Sequence, residues 1–189
     1  MSRHGRLLRI ASSIGVLTFA LTGCSFFSKS KSTIYSLDRL PPAAVTSAAR
    51  GVPFGIESVE LPPGLDRREI VMRQANHHLD IRANELWSAT LHDLVMHTLA
   101  YDLAARLPEG MLILPGEAKP ATMRTIEVSF EELAPGPDAR VHLDAHWKVA
   151  GVSHHEQIAI DLPATDSASI ATGMSQAIAA LADRIAASV

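Results

Sequence analysis

The single cysteine of this 189-residue chain, Cys24, most constrains what the chain can become, because of the segment that precedes it. Three arginines stand within the first nine residues, and an apolar run from Ile10 to Leu21 follows them. This run has about 12 residues, whereas a membrane-spanning helix needs roughly 20. A basic start, a short apolar core and small residues before a break are typical of a secretory signal peptide. We therefore predict that residues 1–23 are removed on export.

The four residues that end this segment, Leu21-Thr22-Gly23-Cys24, resemble the bacterial lipobox. In a lipobox the cysteine thiol carries a diacylglyceryl group, and the new amine receives a further acyl chain such as palmitate. Each buried methylene contributes about 0.8 kcal/mol, so three chains anchor a protein almost irreversibly. We predict a lipoprotein that begins at Cys24; an exported protein with an ordinary buried cysteine is the alternative. Ser25 stands where an aspartate would commonly retain a lipoprotein at the inner membrane, so the outer membrane is favoured.

The mature chain has a size and charge that exclude several classes of function. Removal of residues 1–23 leaves 166 residues, which suits one domain with one core. The removed segment holds three of the 17 Lys and Arg residues and none of the 20 acidic residues, so the mature net charge is −6. Nucleic acids and anionic headgroups require clustered Lys and Arg, so neither is expected as the main partner. Because the one thiol carries lipid, packing alone must hold the fold.

Alternating apolar and polar residues predict a β-sheet after a short polar tether at residues 24–33. A hairpin of two strands, Arg68–Gln74 and His78–Arg82, is predicted around Ala75-Asn76-His77. The last three predicted strands form an antiparallel meander with one solvent face, joined by turns at Pro135-Gly136-Pro137-Asp138 and Gly151-Val152-Ser153. Extended segments are predicted at 34–37, 54–61, 111–114, 126–131, 141–149 and 158–162.

Apolar residues spaced three and four apart predict two helices. The first is capped by Ser88 and ended by Pro108, and the second is capped by Thr165 or Asp166. We predict an α+β fold for residues 34–189, a single domain with an antiparallel or mixed sheet and two main helices packed on one face. The two apolar stripes comprise Leu91, Leu94, Val95, Leu99, Leu103 and Leu107, and then Ile170, Met174, Ile178, Leu181 and Ile185.

Histidine is the residue type that chemistry would use most readily in this chain. His142, Asp144 and His146 alternate along one predicted strand and so share a face, and His155 near the start of the next strand could approach them. Two imidazoles and a carboxylate can ligate a transition metal. The same spacing also suits solvent positions of an amphipathic strand, and we favour that interpretation. We therefore predict no catalytic residue, no cofactor and no metal; a lipid-anchored metal-dependent hydrolase is the alternative.

One segment carries apolar residues where a surface loop would be polar. Leu61 and Leu65 flank a rigid double proline, and Val71 and Met72 belong to a hairpin strand that is apolar on both faces. Such a strand is either buried on both sides or part of an interface. We predict that these four residues form a surface for sister subunits or a partner. A charge at Leu65 or Val71 should then break assembly and leave the monomer folded; a loop folded onto its own core is the alternative.

The order of these motifs resembles the ABC-type transport auxiliary lipoproteins, the PqiC-like (paraquat-inducible protein C) family. The similarity runs from about Tyr35 to the C terminus and is densest from Ile56 to Pro108, whereas the alanine-rich C-terminal helix departs from it. The motifs are the lipobox, Tyr35-Ser36-Leu37, Ile56-Glu57-Ser58-Val59-Glu60-Leu61-Pro62, Ile70-Val71-Met72-Arg73 and Asn84-Glu85-Leu86-Trp87.

The resemblance implies a non-catalytic component of a lipid-transport system. Such lipoproteins accompany an ABC-type permease and a periplasmic protein with MCE (mammalian cell entry) domains, and some form rings of identical subunits. The implied role is to dock that periplasmic protein at the outer membrane, with Cys24 as the anchor and residues 24–33 setting its reach. A homo-oligomer is therefore expected. A generic periplasmic lipid binder, with an apolar pocket between helix and sheet, is a further alternative.

Overall fold

The computed structural model of the chain describes residues 31–42 and 47–189, and Ser32–Val189 form one compact unit. The predicted signal segment, Cys24 and most of the tether lie outside the described residues. The predicted α+β class is confirmed, with the strands divided between two sheets. The elements are β1 Thr33–Tyr35, β2 Phe54–Glu60, β3 Glu69–Arg73, a 3₁₀ turn Ala75–His77, β4 Leu79–Trp87, α1 Leu91–Arg106, β5 Leu112–Ile113, β6 Arg124–Pro135, β7 Arg140–Val149, β8 Val152–Asp161 and α2 Ser167–Ala187.

The larger sheet has the order β5-β2-β6-β7-β8 and contains the predicted meander. Strands β6, β7 and β8 pair antiparallel, whereas β2 joins β6 and β5 joins β2 in parallel. Ala150 and Gly151 connect β7 to β8 with positive φ angles of 49° and 83°. Two positive φ angles in a two-residue loop match the twist of antiparallel strands. This turn therefore sets the register of β7 against β8, in which His146 lies opposite His155.

The two faces of β7 have different neighbours. Its odd-numbered residues from Val141 to Val149 are buried, and both helices pack on this sheet. Its even-numbered residues, from His142 to Lys148, are partly or fully exposed on the open face. The predicted stripe of α2 is fully buried, from Ile170 to Ile185. Gly173 lets α2 approach closely, because a Cβ there would lie 3.0 Å from Val141 Cγ2 and closer still to Leu162.

The first helix begins two residues later than predicted. Asp93 N donates to the side-chain oxygen of Thr90, which is the N-cap. Ser88 instead donates its backbone N–H to Tyr35 O, so it joins β4 to β1. The second helix is capped by Asp166, one of the two predicted residues, which accepts from Ser169 N.

The smaller sheet has the order β1-β4-β3. β3 and β4 form the predicted hairpin, but β4 continues to Trp87, well beyond the predicted end at Arg82. Its last residues pair in parallel with β1, from Thr33 opposite Glu85 to Tyr35 opposite Trp87. This pairing joins segments about 50 residues apart, so a local pattern could not indicate it.

Candidate partner surface and histidine cluster

Leu65 and Val71, two of the four residues predicted at an interface, belong to the protein's own core. Each is only 7% exposed. Their side chains face a cavity of about 10 Å³, too small for an acyl chain, that Trp87, Leu91 and Met174 also line. This burial differs from the predicted surface position, and we expect a charge at either residue to destabilise the monomer, because an unpaired charge here would be desolvated. The lipid-binding alternative also finds no apolar pocket at this place between helix and sheet.

The loop before β3 folds back onto the start of α1 and is held there by two hydrogen bonds. Gly64 has a positive φ of 87°, which turns the chain towards the helix. Asp66 Oδ1 then accepts from His92 N at 3.2 Å, and Arg67 O accepts from Leu91 N at 3.3 Å. These bonds occupy backbone donors that a helix start leaves free. The alternative of a loop folded onto its own core thus holds for Leu65.

Leu61 and Met72, the other two predicted residues, are partly buried and pack against the edge of the core. They retain some accessible surface. A role for them at an interface stays a prediction.

A different part of the hairpin exposes large apolar side chains. Leu79 is 47% exposed and Ile81 is 43% exposed, two residues apart on the first half of β4. We call residues 79–84 the β4 tip. Its neighbour β1 pairs only with residues 85–87, so within the described residues the tip has a strand partner on one side only. An unpaired strand edge with apolar side chains is a template for another chain.

The base of the β4 tip is fixed to the start of α2. Arg82 Nη1 donates to Ser167 Oγ at 2.6 Å and lies 3.1 Å from Glu85 Oε2. Its Nη2 donates to Thr165 O at 2.6 Å. These contacts hold the strand against the body of the domain, so the exposed apolar residues project from a defined position.

The segment that follows the tether is clamped between the two helices. We call residues 35–40 the anchor segment. Asp38 N donates to Ser175 Oγ of α2 at 2.9 Å, and Leu40 N donates to Asp102 Oδ1 of α1 at 2.8 Å. Arg106 Nη1 donates to Leu40 O at 3.1 Å. The point where the tether leaves the domain is therefore fixed by both helices.

A buried charged network supports this clamp. Asp102 and Arg106 are 1% and 2% exposed. Burial raises the pKa of Asp102 to about 6, against the lowering effects of the Leu40 N–H and the Arg106 charge. Asp102 Oδ2 has no hydrogen-bond partner among the described residues. Arg106 Nε lies 2.6 Å from Asp183 Oδ1, so the guanidinium bridges the two helices.

The open face of the larger sheet carries a cluster of two histidines and a carboxylate. His155 Nε2 lies 2.7 Å from Asp144 Oδ1, and the rings of His146 and His155 stack with centroids 4.3 Å apart. Burial raises the pKa of Asp144, but hydrogen bonds from Gln157 and His155 outweigh it and hold that pKa below its usual value. Nitrogen and carboxylate ligand atoms of the three residues lie within 4.8 Å of one another.

His142, the fourth residue of the metal-dependent alternative, is not part of this cluster. Its Nε2 lies 2.9 Å from Asp138 Oδ1 in the turn before β7. The hydrogen bond from His142 lowers the pKa of Asp138. His154 is also separate, because its ring stacks on Trp147 with centroids 5.1 Å apart. Beside the cluster, a hollow of about 220 Å³ is lined by residues that include Glu60, Glu127, His146 and Lys148.

Comparison with known families decides where this chain belongs. The family model described as "ABC-type transport auxiliary lipoprotein component" matches residues 35–186. The chain belongs to this family of auxiliary lipoproteins. The resemblance noted in the sequence is thereby confirmed, and the match covers the elements from β2 to α2 apart from the last residue of α2.

Solved structures show that the fold of this auxiliary lipoprotein occurs elsewhere. A crystal structure of an uncharacterized protein has a TM-score of 0.67 and 16% identity, over 82% of this chain and 97% of that one. Protein XCC0632 from Xanthomonas campestris, assigned to DUF330, has a TM-score of 0.65 and 12% identity, over 82% of this chain and 93% of that one. No curated protein matches the sequence. Within the described residues, neither helix of the auxiliary lipoprotein is long and apolar enough to cross a membrane.

Three features of the site were missed from the sequence, although each left some signal. The exposed pair Leu79 and Ile81 was included in the hairpin, whose alternation does not tell which strand is outermost. Asp102 lies three residues after Leu99 and seven after Val95 of the predicted stripe, and this helical spacing indicates the buried face. The pairing of His146 with His155 follows from a two-residue turn at Ala150-Gly151, whereas the predicted turn lay one residue later.

Proposed function

We propose that this auxiliary lipoprotein holds a periplasmic MCE-domain protein of an ABC-type lipid-transport system at the outer membrane and performs no catalysis. The observation that carries the proposal is the family match over residues 35–186, behind a segment that resembles a lipobox. Its lipid attachment site is Cys24. Its partners are the MCE-domain protein, the associated permease and other copies of the same chain.

The anchor segment supports a tethering role. Both helices form hydrogen bonds with the anchor segment, so a force on the tether acts on the helical layer of the domain. Seven residues, 25–31, lie between Cys24 and the compact unit that begins at Ser32, and an extended chain spans at most about 3.5 Å per residue. The tether can therefore reach no further than roughly 30 Å from the lipid-bearing residue. This distance restricts the MCE-domain protein to the vicinity of the bilayer.

The β4 tip is the surface that we assign to the partner. Leu79 and Ile81 expose apolar side chains on a strand with an open edge, and Arg82 fixes the strand to α2. Partly buried Leu61 and Met72 lie on the same hairpin-and-loop region and extend this assignment. An extended segment of the MCE-domain protein or of a second copy could add a strand at this edge.

The proposal is tested by crosslinking in intact cell envelopes, followed by capture of the full-length lipoprotein and identification of the bound proteins. The wild-type chain should capture an MCE-domain protein, and the double variant Leu79→Glu/Ile81→Glu should capture much less. Val152→Glu is the matched control, because Val152 is 56% exposed on the other sheet. Capture of no MCE-domain protein by the wild-type chain would refute the proposed partner.

Membrane attachment is tested separately by mass spectrometry of the native amino terminus and by fractionation. We expect a triacylated Cys24 in the outer-membrane fraction, and a Cys24→Ser variant that leaves the membrane. An unmodified amino terminus would contradict the anchor, and recovery with the inner membrane would contradict the location.

A further inference from the structure

The histidine cluster on the open sheet face has the geometry of a ligand set rather than of scattered surface residues. Asp144 and His146 are two residues apart on β7, so their side chains leave the same face. His155 on β8 lies directly opposite His146. Directly opposed side chains have Cβ atoms about 5 Å apart. Three potential ligands thus stand at the corners of one small triangle.

The distances are close to those that a bound ion requires. Ligand atoms of the three residues lie within 4.8 Å of one another. Around a tetrahedral ion with bonds of about 2.1 Å, ligand atoms are about 3.4 Å apart. The stacked rings must therefore splay slightly, because parallel imidazoles direct their lone pairs along parallel lines. Both histidines are exposed, so rotation about their side-chain bonds meets no packed core.

The residues around the triangle orient the carboxylate and limit competing charge. Gln157 Nε2 donates to Asp144 Oδ2 at 2.6 Å, which leaves Oδ1 directed at His155. Such bonds to the ligands commonly fix metal sites. Glu132, opposite Asp144, is paired with Arg73 at 3.2 Å.

Two further charges lie on the same face. Lys148 lies two residues after His146 on β7, and Glu127 of β6 is paired with Lys148 in the register of the two strands. Opposite charges at paired positions of a sheet offset one another. The lysine therefore does not leave an uncompensated positive charge beside the cluster.

We propose that Asp144, His146 and His155 bind one divalent transition-metal ion of the zinc or copper class. Imidazole suits these ions, whereas magnesium and calcium prefer all-oxygen ligand sets. Three protein ligands leave at least one coordination position open to water or to a group from a partner. The site joins the edge strand β8 to β7, and it does not depend on the proposed function.

The test uses the full-length chain in detergent without a histidine tag, titrated with zinc chloride against a chromophoric chelator. We expect one tightly bound Zn²⁺ per chain, unaffected by excess Mg²⁺. His146→Ala, His155→Ala and Asp144→Asn should each weaken binding at least about tenfold. His142→Ala and His154→Ala are the matched controls, because they change neighbouring histidines of the same two strands that do not belong to the triangle.

Two outcomes would overturn the proposal. One is the absence of stoichiometric zinc in the wild-type chain. The other is equal weakening by the two control variants, which would indicate diffuse binding by the nine histidines of the chain. X-ray absorption of the zinc-loaded chain gives an independent readout, since two imidazole ligands and oxygen are expected. Circular dichroism checks that each variant remains folded.

Discussion

Val71 and Ile81 are opposite each other in one hairpin, yet they lie in different surroundings. Val71 is 7% exposed and faces Trp87 and Leu91, whereas Ile81 is 43% exposed on the β4 tip. Both are β-branched residues at directly paired positions of the hairpin, so their side chains leave the same face of the small sheet. The difference arises because β3 also contacts β6, while the β4 tip reaches past the region that β1 covers. The comparison shows that burial in this protein depends on the position of a strand among its neighbours.

The largest effect on the free energy of unfolding is expected at Val71, the buried residue of this pair. Val71→Asp places an unpaired carboxylate among apolar side chains, so we expect the free energy of unfolding to fall by at least about 3 kcal/mol. Ile81→Asp should change it by no more than about 0.5 kcal/mol. Denaturant unfolding of the two full-length variants in detergent measures both values. Similar losses for the two variants would contradict the burial assigned to Val71.

A second prediction compares a buried acid with an exposed one. The pKa of Asp102 is about 6 in the folded chain and near the ordinary 3.8 in the unfolded chain, so the folded state binds its proton more tightly. Its contribution to stability is present below about pH 4 and is lost as the pH rises through about 6. We expect Asp102→Asn to remove this loss and to raise the unfolding free energy at pH 7.5 by about 1–2 kcal/mol.

Asp138→Asn is the matched control for that experiment. The hydrogen bond from His142 lowers the pKa of Asp138, so its folded carboxylate is favoured above pH 4 and the variant should be slightly less stable at pH 7.5. Unfolding curves from pH 4 to 7.5 should show the loss that comes from Asp102 and almost no change from Asp138, whose contribution is lost only as the pH falls below about 4. Destabilisation of Asp102→Asn at pH 7.5 would show instead that the ionised carboxylate is a net favourable partner of Arg106.

A third prediction separates two hydroxyl residues that precede α1. Thr90→Ala removes the side-chain acceptor of Asp93 N and should cost about 1 kcal/mol. Ser88→Ala should cost almost nothing, because the contact of Ser88 within the described residues is made by its backbone N–H, which donates to Tyr35 O and is kept in the variant. Thermal unfolding followed by circular dichroism distinguishes them. An equal loss for both variants would mean that the helix starts earlier than Thr90.

Substitutions at the β4 tip should have the smallest effect on the free energy of unfolding and the largest effect on binding of the partner protein. Leu79→Ser should leave the unfolding free energy within about 0.5 kcal/mol of the wild-type value, since about half of the residue is already exposed to water. The same change should reduce capture of the partner in crosslinked envelopes. Unchanged capture would place the docking surface elsewhere on the domain.

The sequence predicted the elements whose periodicity is strong. Helix α2 and strand β7 each bury one face, and the spacing of their apolar residues predicts which face is buried. The sequence also indicated the family, because its motifs keep their order along the chain. It did not predict the division into two sheets, because the contacts between β1 and β4 join distant segments whose pairing no local pattern encodes.

The candidate site was predicted less completely. The alternation of β7 predicts His142, Asp144 and His146 on one face, but only the register between β7 and β8 brings His155 to His146. His142 instead contacts Asp138 in the turn before β7. A one-residue change of that register would move every side chain of β8 to the other face. The turn at Ala150-Gly151 is therefore the local feature that decides the composition of the cluster.

By itself, the order of residues determined the class of fold, the two helices, the meander and the family, since these depend on periodicity and short motifs. The tertiary structure alone decided that Leu65 and Val71 are core while Leu79 and Ile81 are surface, and that the anchor segment is held by Asp102 and Ser175. The physical reason is that periodicity indicates which apolar residues favour burial, whereas the packing of distant elements decides which of them are buried.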